Sequence, residues 1–142
     1  MTFSFNYKQT ILKSGKIIYR PLIPITLIGS NESLDVIGIL DSGSDMSIIP
    51  KSIAEVIGVK YLGEDEISGI TGKPIKSKQG VINVEFGKDR EKTNFQIPVV
   101  IPEKEDVTII IGRLGFFQNF DITFQERKRK IHFKRVFKNI WN

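Results

Sequence analysis

The 142-residue sequence contains no cysteine and one histidine, His132. Without cysteine the chain can form no disulfide bond, no thiolate metal site and no cysteine nucleophile. A single histidine cannot provide a histidine cluster for zinc, and it leaves no histidine-based catalytic triad. These absences exclude most hydrolase mechanisms, and we expect neither a metal nor a cofactor.

Long apolar runs are also missing. The apolar runs extend over only a few residues, whereas a membrane-spanning helix needs about 20. Met1–Thr10 lacks the basic segment and apolar core of a secretory signal peptide. We therefore expect a cytoplasmic protein with no membrane partner, folded as one domain with extensions.

Composition favours strands over helices. Ala54 is the only alanine while isoleucine is abundant, which disfavours a helical bundle. The formal net charge is +5, but the lysines are scattered along the whole chain. We interpret them as a solvated surface rather than a nucleic-acid site.

The order of apolar patches and turn signals predicts an all-β domain with short helices. Residues 1–19 predict a loose hairpin around Ser14-Gly15, and Pro50–Gly58 predicts a short helix ending at its glycine. Residues 64–78 predict a second hairpin, with two glycines near its tip. A closed barrel and a compact sandwich both fit this pattern. The other predicted elements are strands at 20–28, 34–40, 81–86, 95–101 and 107–111, a helical turn at 114–117, and a hairpin at 120–133.

One acidic turn stands out as a candidate for chemistry. Leu40-Asp41-Ser42-Gly43-Ser44-Asp45 follows the apolar run Val36–Leu40, so a strand delivers one carboxylate into a tight turn of small residues. A carboxylate held at a rigid strand end suits catalysis, although Asp, Ser and Gly also make ordinary turns. At average residue usage, the chance that the motif Asp-(Ser/Thr)-Gly-(Ala/Ser) occurs somewhere in a chain of this length is about one per cent.

Four landmarks in order resemble the retropepsin-like aspartic proteases over roughly residues 20 to 133. Arg20-Pro21-Leu22 corresponds to the head of the first core strand, and Leu40–Asp45 corresponds to the catalytic loop. Ser68-Gly69-Ile70-Thr71-Gly72 stands at the flap, and Ile110-Ile111-Gly112-Arg113 stands just before the family's conserved helix.

The resemblance implies a closed acid-protease β-barrel with a flap hairpin and one or two short helices. Residues 1–19 would be an N-terminal extension, and residues 20–142 the protease domain with a C-terminal hairpin and tail. The implied activity is aspartic endopeptidase. Two facing aspartates share one proton, because like charges about 3 Å apart do not both ionise, and they activate a water that attacks the peptide carbonyl.

The chain contains one such motif, and it is too short for a two-lobed enzyme. The resemblance therefore implies a homodimer with Asp41 of both copies at the two-fold axis, acting on a protein or peptide. The resemblance also implies four groups of site residues. Around Asp41, the supporting residues are Ser42, Gly43 and Ser44, with a Ser44 hydrogen bond to the Asp41 carboxylate, and the flap consists of Gly69, Ile70, Thr71 and Gly72. The cleft is lined by Ile39, Ile48, Ile110 and Ile70, while Asp45 pairs with Arg113 and Arg20 reaches Asp45 of the other subunit.

Alternatives stay open at this stage. The flap has no large aromatic residue, which fits a weakly active or inactive peptide-binding or dimerisation module of the same fold. A nucleic-acid-binding barrel would depend on the basic run Arg127–Lys130 alone and lacks an exposed aromatic stripe. For residues 1–19, one hypothesis is that they cover the cleft, and another is removal by self-cleavage. The Phe120–Phe133 hairpin is a candidate dimer interface.

Overall fold

The structure is a computed structural model that describes residues 2–68, 73–104 and 106–136, with only the backbone described for residues 65–68. The strands in this part of the chain are β1 (Thr2–Asn6), β2 (Lys8–Ile11), β3 (Ile17–Arg20), β4 (Leu22–Ile28), β5 (Ser33–Leu40), β6 (Ser47–Ile48), β7 (Lys60–Ser68), β8 (Pro74–Phe86), β9 (Thr93–Pro102), β10 (Ile110–Ile111), β11 (Phe120–Gln125) and β12 (Lys130–Arg135). The helical elements are α1 (Lys51–Ile57) and 3-10 turns at Asp89–Glu91 and Phe117–Asn119.

Six strands form a closed barrel. Their hydrogen-bonded order is β4-β5-β10-β6-β9-β8, and pairing of β4 with β8 closes the ring, while β7 extends from the outer edge of β8. Ile23, Ile25 and Leu27 alternate into the core from β4, as the two-residue period of a strand requires. The predicted all-β barrel is confirmed, and the sandwich alternative is excluded.

The N-terminal strand belongs to the hydrophobic core. β1 pairs antiparallel with β12, which also pairs with β11, so the two ends of the described chain form one three-stranded sheet. Phe3 stacks on Phe133 with ring centroids 5.3 Å apart and meets Phe86 at 5.5 Å. Removing this strand would expose Phe86 and Phe133 to water, which argues against residues 1–19 as a segment lost by self-cleavage.

The predicted N-terminal hairpin begins after that strand. β2 and β3 pair antiparallel, with Ile11 opposite Ile17, and Gly15 has φ 85° in the turn between them, a conformation that favours glycine. These two strands make a sheet of their own. Thr2–Asn6 is not part of this hairpin.

The basic run after β11 is folded against the base of the hairpin. The Tyr7 hydroxyl donates to Glu126 Oε1 at 3.2 Å; burial, together with the Glu126 charge, raises the pKa of Tyr7. The Arg129 guanidinium lies 3.6 Å from the centre of the Tyr19 ring, a cation–π contact. Glu126 and Arg129 thus act within the fold, which weakens the case for a nucleic-acid site at residues 127–130.

The helical elements agree with the sequence only in part. The predicted helix at Pro50–Gly58 is present as α1, and Gly58 ends it with φ 77°. The helical turn predicted at 114–117 lies instead at Phe117–Asn119. Gly115 has φ 81°, a left-handed conformation that no right-handed helix can include. The helix expected after Arg113 is therefore reduced to one 3-10 turn.

The second predicted hairpin is formed by β7 and β8, which pair from Lys60 and Val81 to Ser68 and Pro74. Glu64 lies opposite Lys78, and opposite charges on facing strands stabilise such a pairing. The predicted flap residues Gly69, Ile70, Thr71 and Gly72 lie outside the described residues, as does the tail from residue 137. No helix of the described part is long and apolar enough to cross a membrane.

Replacing Phe3 with alanine tests whether β1 is part of the core. Phe3 is half-buried among four other phenylalanine rings, so Phe3→Ala should lower the free energy of unfolding by about 2 kcal/mol. Urea unfolding measures this change. Thr2→Ala, at an exposed position of the same strand, is the control and should stay within about 0.5 kcal/mol of wild type. Equal stability of all three proteins would show that β1 is dispensable.

Candidate active site

The candidate site is built where three strands meet. β10 lies between β5 and β6, parallel to the former and antiparallel to the latter, with Ile110 paired to both Ile39 and Ile48. The Ile39 N–H donates to the Ile109 carbonyl at 2.9 Å, and the Asp41 N–H donates to the Ile111 carbonyl at 2.9 Å. Because β5 and β6 are not neighbours, residues 41–46 must pass over the end of β10.

Hydrogen bonds within this loop orient the Asp41 carboxylate. The Gly43 N–H donates to Asp41 Oδ1 at 2.9 Å, and the Ser44 N–H approaches the Asp41 carbonyl at 3.3 Å. The Ser44 hydroxyl donates to the Met46 carbonyl at 2.7 Å, so the hydrogen bond expected from Ser44 to the Asp41 carboxylate is not made. The backbone of Gly43 takes that role, while Ser42 is exposed.

A second set of bonds ties the loop to the residues after β10. The Arg113 N–H donates to the Ser44 carbonyl and the Leu114 N–H to the Asp45 carbonyl, each at 2.9 Å. The Gly112 N–H donates to the hydroxyl of Ser47, which is fully buried. Sequence reasoning did not assign this role to Ser47, and its signal was a serine inside the apolar run Met46–Ile49.

Gly112 is a position where only glycine fits. A Cβ there would lie 2.3 Å from the Met46 carbonyl oxygen and 2.9 Å from that of Ser44, distances at which the backbone of the loop would have to move. The glycine of the motif before Arg113 thus lets the two backbone segments approach closely enough to hydrogen-bond.

Charged residues flank the loop at its far end. The Arg113 guanidinium forms an ion pair with Asp45 Oδ1. Both side chains are exposed, so this pair contributes at most about 1 kcal/mol to stability. Arg20 ends β3 and forms no ion pair with another described residue of its own chain.

Three isoleucines form a row beside the loop. Ile39, Ile110 and Ile48 are paired across the three neighbouring strands and are half-buried, whereas their neighbours Leu40, Ile111 and Ile49 are fully buried. Alternation therefore directs the row to the face away from the core. Asp41 follows Ile39 by two residues and is itself partly exposed, which places an apolar surface next to the carboxylate.

Asp41 is partly exposed in the single chain. A concavity of about 400 Å³ lies nearby, against Asp45, Arg113, Leu114, Phe117 and Gln118. Ile70, expected to line the cleft, is outside the described residues. The site thus presents one oriented carboxylate with apolar neighbours and one open side.

Gly112→Ala tests the close approach of the loop to β10. The added methyl group would push against the Met46 carbonyl, and we expect the free energy of unfolding to fall by about 1–3 kcal/mol. Gly63→Ala is a matched control, because a Cβ at Gly63 meets nothing within 4 Å. Chemical denaturation of both variants measures the difference. Equal stability would mean that the loop does not require glycine there.

Comparison with solved structures identifies the fold. The chain resembles a retropepsin-like aspartic protease from Rickettsia conorii with a TM-score of 0.57 and 13% identity, over 94% of this chain and 91% of that one. It also resembles EIAV protease, solved in complex with the inhibitor HBY-793, with a TM-score of 0.50 and 15% identity, over 73% of this chain and 88% of that one. No family model and no curated protein matches the chain. The chain therefore has the fold of the retropepsin-like aspartic proteases, as its four sequence landmarks predicted.

Proposed function

We propose that the protein is an aspartic endopeptidase whose active site forms between two copies of the chain, each providing Asp41. The observation that carries this proposal is the Asp41 carboxylate itself. It is oriented by the Gly43 N–H at the exit of β5, it is partly exposed, and it lies beside the isoleucine row. Two solved proteins that share the fold are proteases.

The need for a second copy follows from the chemistry. Cleavage of a peptide bond without a metal requires a base that takes a proton from water and an acid that gives one to the substrate. A single carboxylate cannot do both in one step, and the chain has one Asp-Ser-Gly motif. A two-fold axis beside Asp41 supplies the second carboxylate and covers the open side of the site.

In the dimer the two carboxylates share one proton, because two adjacent negative charges repel each other. The ionised carboxylate takes a proton from water, whose oxygen attacks the peptide carbonyl carbon. The protonated carboxylate gives its proton to the carbonyl oxygen, which yields a tetrahedral diol. Collapse of this intermediate breaks the C–N bond: the carboxyl that took the water proton gives it to the leaving nitrogen, and the other carboxylate takes a hydroxyl proton from the diol. Gly43 keeps each carboxylate oriented throughout.

The surroundings of Asp41 suggest the substrate and its enclosure. Ile39, Ile48 and Ile110 favour apolar side chains beside the cleaved bond, since burying apolar surface stabilises the complex. The β7–β8 hairpin would act as the flap over an extended peptide, with Gly69–Gly72 at its tip. Asp45 would bind both Arg113 of its own chain and the partner's Arg20.

Cleavage assays with Asp41→Asn test the proposal. The asparagine cannot act as a base, so cleavage of a denatured protein or peptide library between about pH 3 and 7 should disappear, while size-exclusion chromatography should still show a dimer. Asp89→Asn, at an exposed position in the 3-10 turn Asp89–Glu91, is the matched control and should cleave like wild type. A wild-type protein without pepstatin-sensitive cleavage at any pH would instead support the peptide-binding module.

A further inference from the structure

We propose that the β2–β3 hairpin, Lys8–Arg20, is a dimerisation arm that places Ile11 and Ile17 in the concavity beside Leu114 and Phe117 of the partner subunit. This inference rests on the proposed homodimer and names the surface that holds it together. It concerns a hairpin and a concavity that the chemistry at Asp41 does not use.

The arm carries an apolar pair that the described part of its own chain leaves at least half exposed. Ile11 is 68% exposed and Ile17 is 50% exposed, and they lie opposite each other on the two strands. β2 and β3 pair only with each other among the described strands. A lone two-stranded hairpin is marginally stable in water, so packing of this pair against a second molecule would stabilise the arm.

The base of the arm is fixed and lies next to the catalytic loop. Arg129 stacks on Tyr19 near the end of β3. Arg20 is followed by Pro21, whose carbonyl accepts a hydrogen bond at 3.0 Å from the N–H of Leu40, the residue before Asp41. A second copy that brings its own Asp41 to this loop therefore also approaches the arm.

The proposed binding surface adjoins the same loop. Asp45, four residues after Asp41, lines the concavity of about 400 Å³ together with Leu114 and Phe117. Leu114 is 44% exposed and is therefore accessible to a partner chain. The volume is within the range of small ligand pockets, and its lining suits aliphatic side chains.

Charge matches the arm to this concavity. Residues 8–20 contain four cationic side chains and no acid, while the Asp45 side chain is 72% exposed, with Arg113 on one of its oxygens. Cations of the arm would lie near the partner's Asp45 while the isoleucine pair packs against Leu114 and Phe117. Two-fold symmetry forms the contact twice.

Cross-linking tests the contact directly, because the natural chain has no cysteine. Ile17→Cys and Leu114→Cys chains, prepared separately with different tags and mixed under mild oxidation, should form a disulfide-linked heterodimer. Val56, 46% exposed on α1, provides the matched control. Ile17→Cys mixed with Val56→Cys should cross-link much more slowly, and equal rates for the two mixtures would overturn the proposal.

A polar substitution then measures what the arm contributes. The double variant Ile11→Thr, Ile17→Thr keeps β-branched residues at two exposed positions and should fold normally, but its dimer dissociation constant should rise at least about tenfold. Cleavage should be lost at low concentration and return at high concentration. A dimer as tight as wild type, with cleavage that still requires Asp41, would overturn the arm and leave the protease proposal standing. A wild-type chain that stays monomeric and cleaves nothing would overturn the proposed function itself.

Discussion

The candidate site depends on the position of β10 between β5 and β6. This insertion separates two strands that are close in sequence, so the loop between them must cross over the end of β10. The loop is then hydrogen-bonded to the backbone at residues 111–114, an approach that Gly112 permits by lacking a side chain. Asp41 is thus oriented mainly by backbone groups, which lose little freedom when the site acts.

In the proposed function one chain is half of a site. Asp41 is partly exposed and follows the isoleucine row, so a second chain can approach its carboxylate. The proposed arm adjoins Leu40, and the concavity adjoins Asp45. One symmetric contact of this kind would complete the chemistry and bury both apolar surfaces.

Features decided by neighbouring residues were predictable from the sequence. The apolar run before Asp41 predicted its strand, and Gly58 predicted the end of α1. The pairing of β1 with β12 joins residues about 130 positions apart, and alternation at Phe3 and Phe5 does not say which strand they face. The expected partner of the Ser44 hydroxyl differs because the Met46 carbonyl, two residues away, accepts its hydrogen bond, and the sequence does not rank the acceptors around it. The helical turn predicted at 114–117 lies at Phe117–Asn119 because Gly115 adopts a left-handed conformation. The sequence does not show which conformation a glycine takes.

The central claim is that each active site takes one Asp41 from each of two chains, and subunit mixing tests it most directly. Wild-type chain at fixed concentration is unfolded and refolded together with a ninefold excess of Asp41→Asn chain, and cleavage is measured. Random pairing leaves about one tenth of the wild-type chains with a wild-type partner, so cleavage should fall about tenfold. Cleavage that stays proportional to the wild-type chain, whatever the excess, would show that one chain carries a complete site.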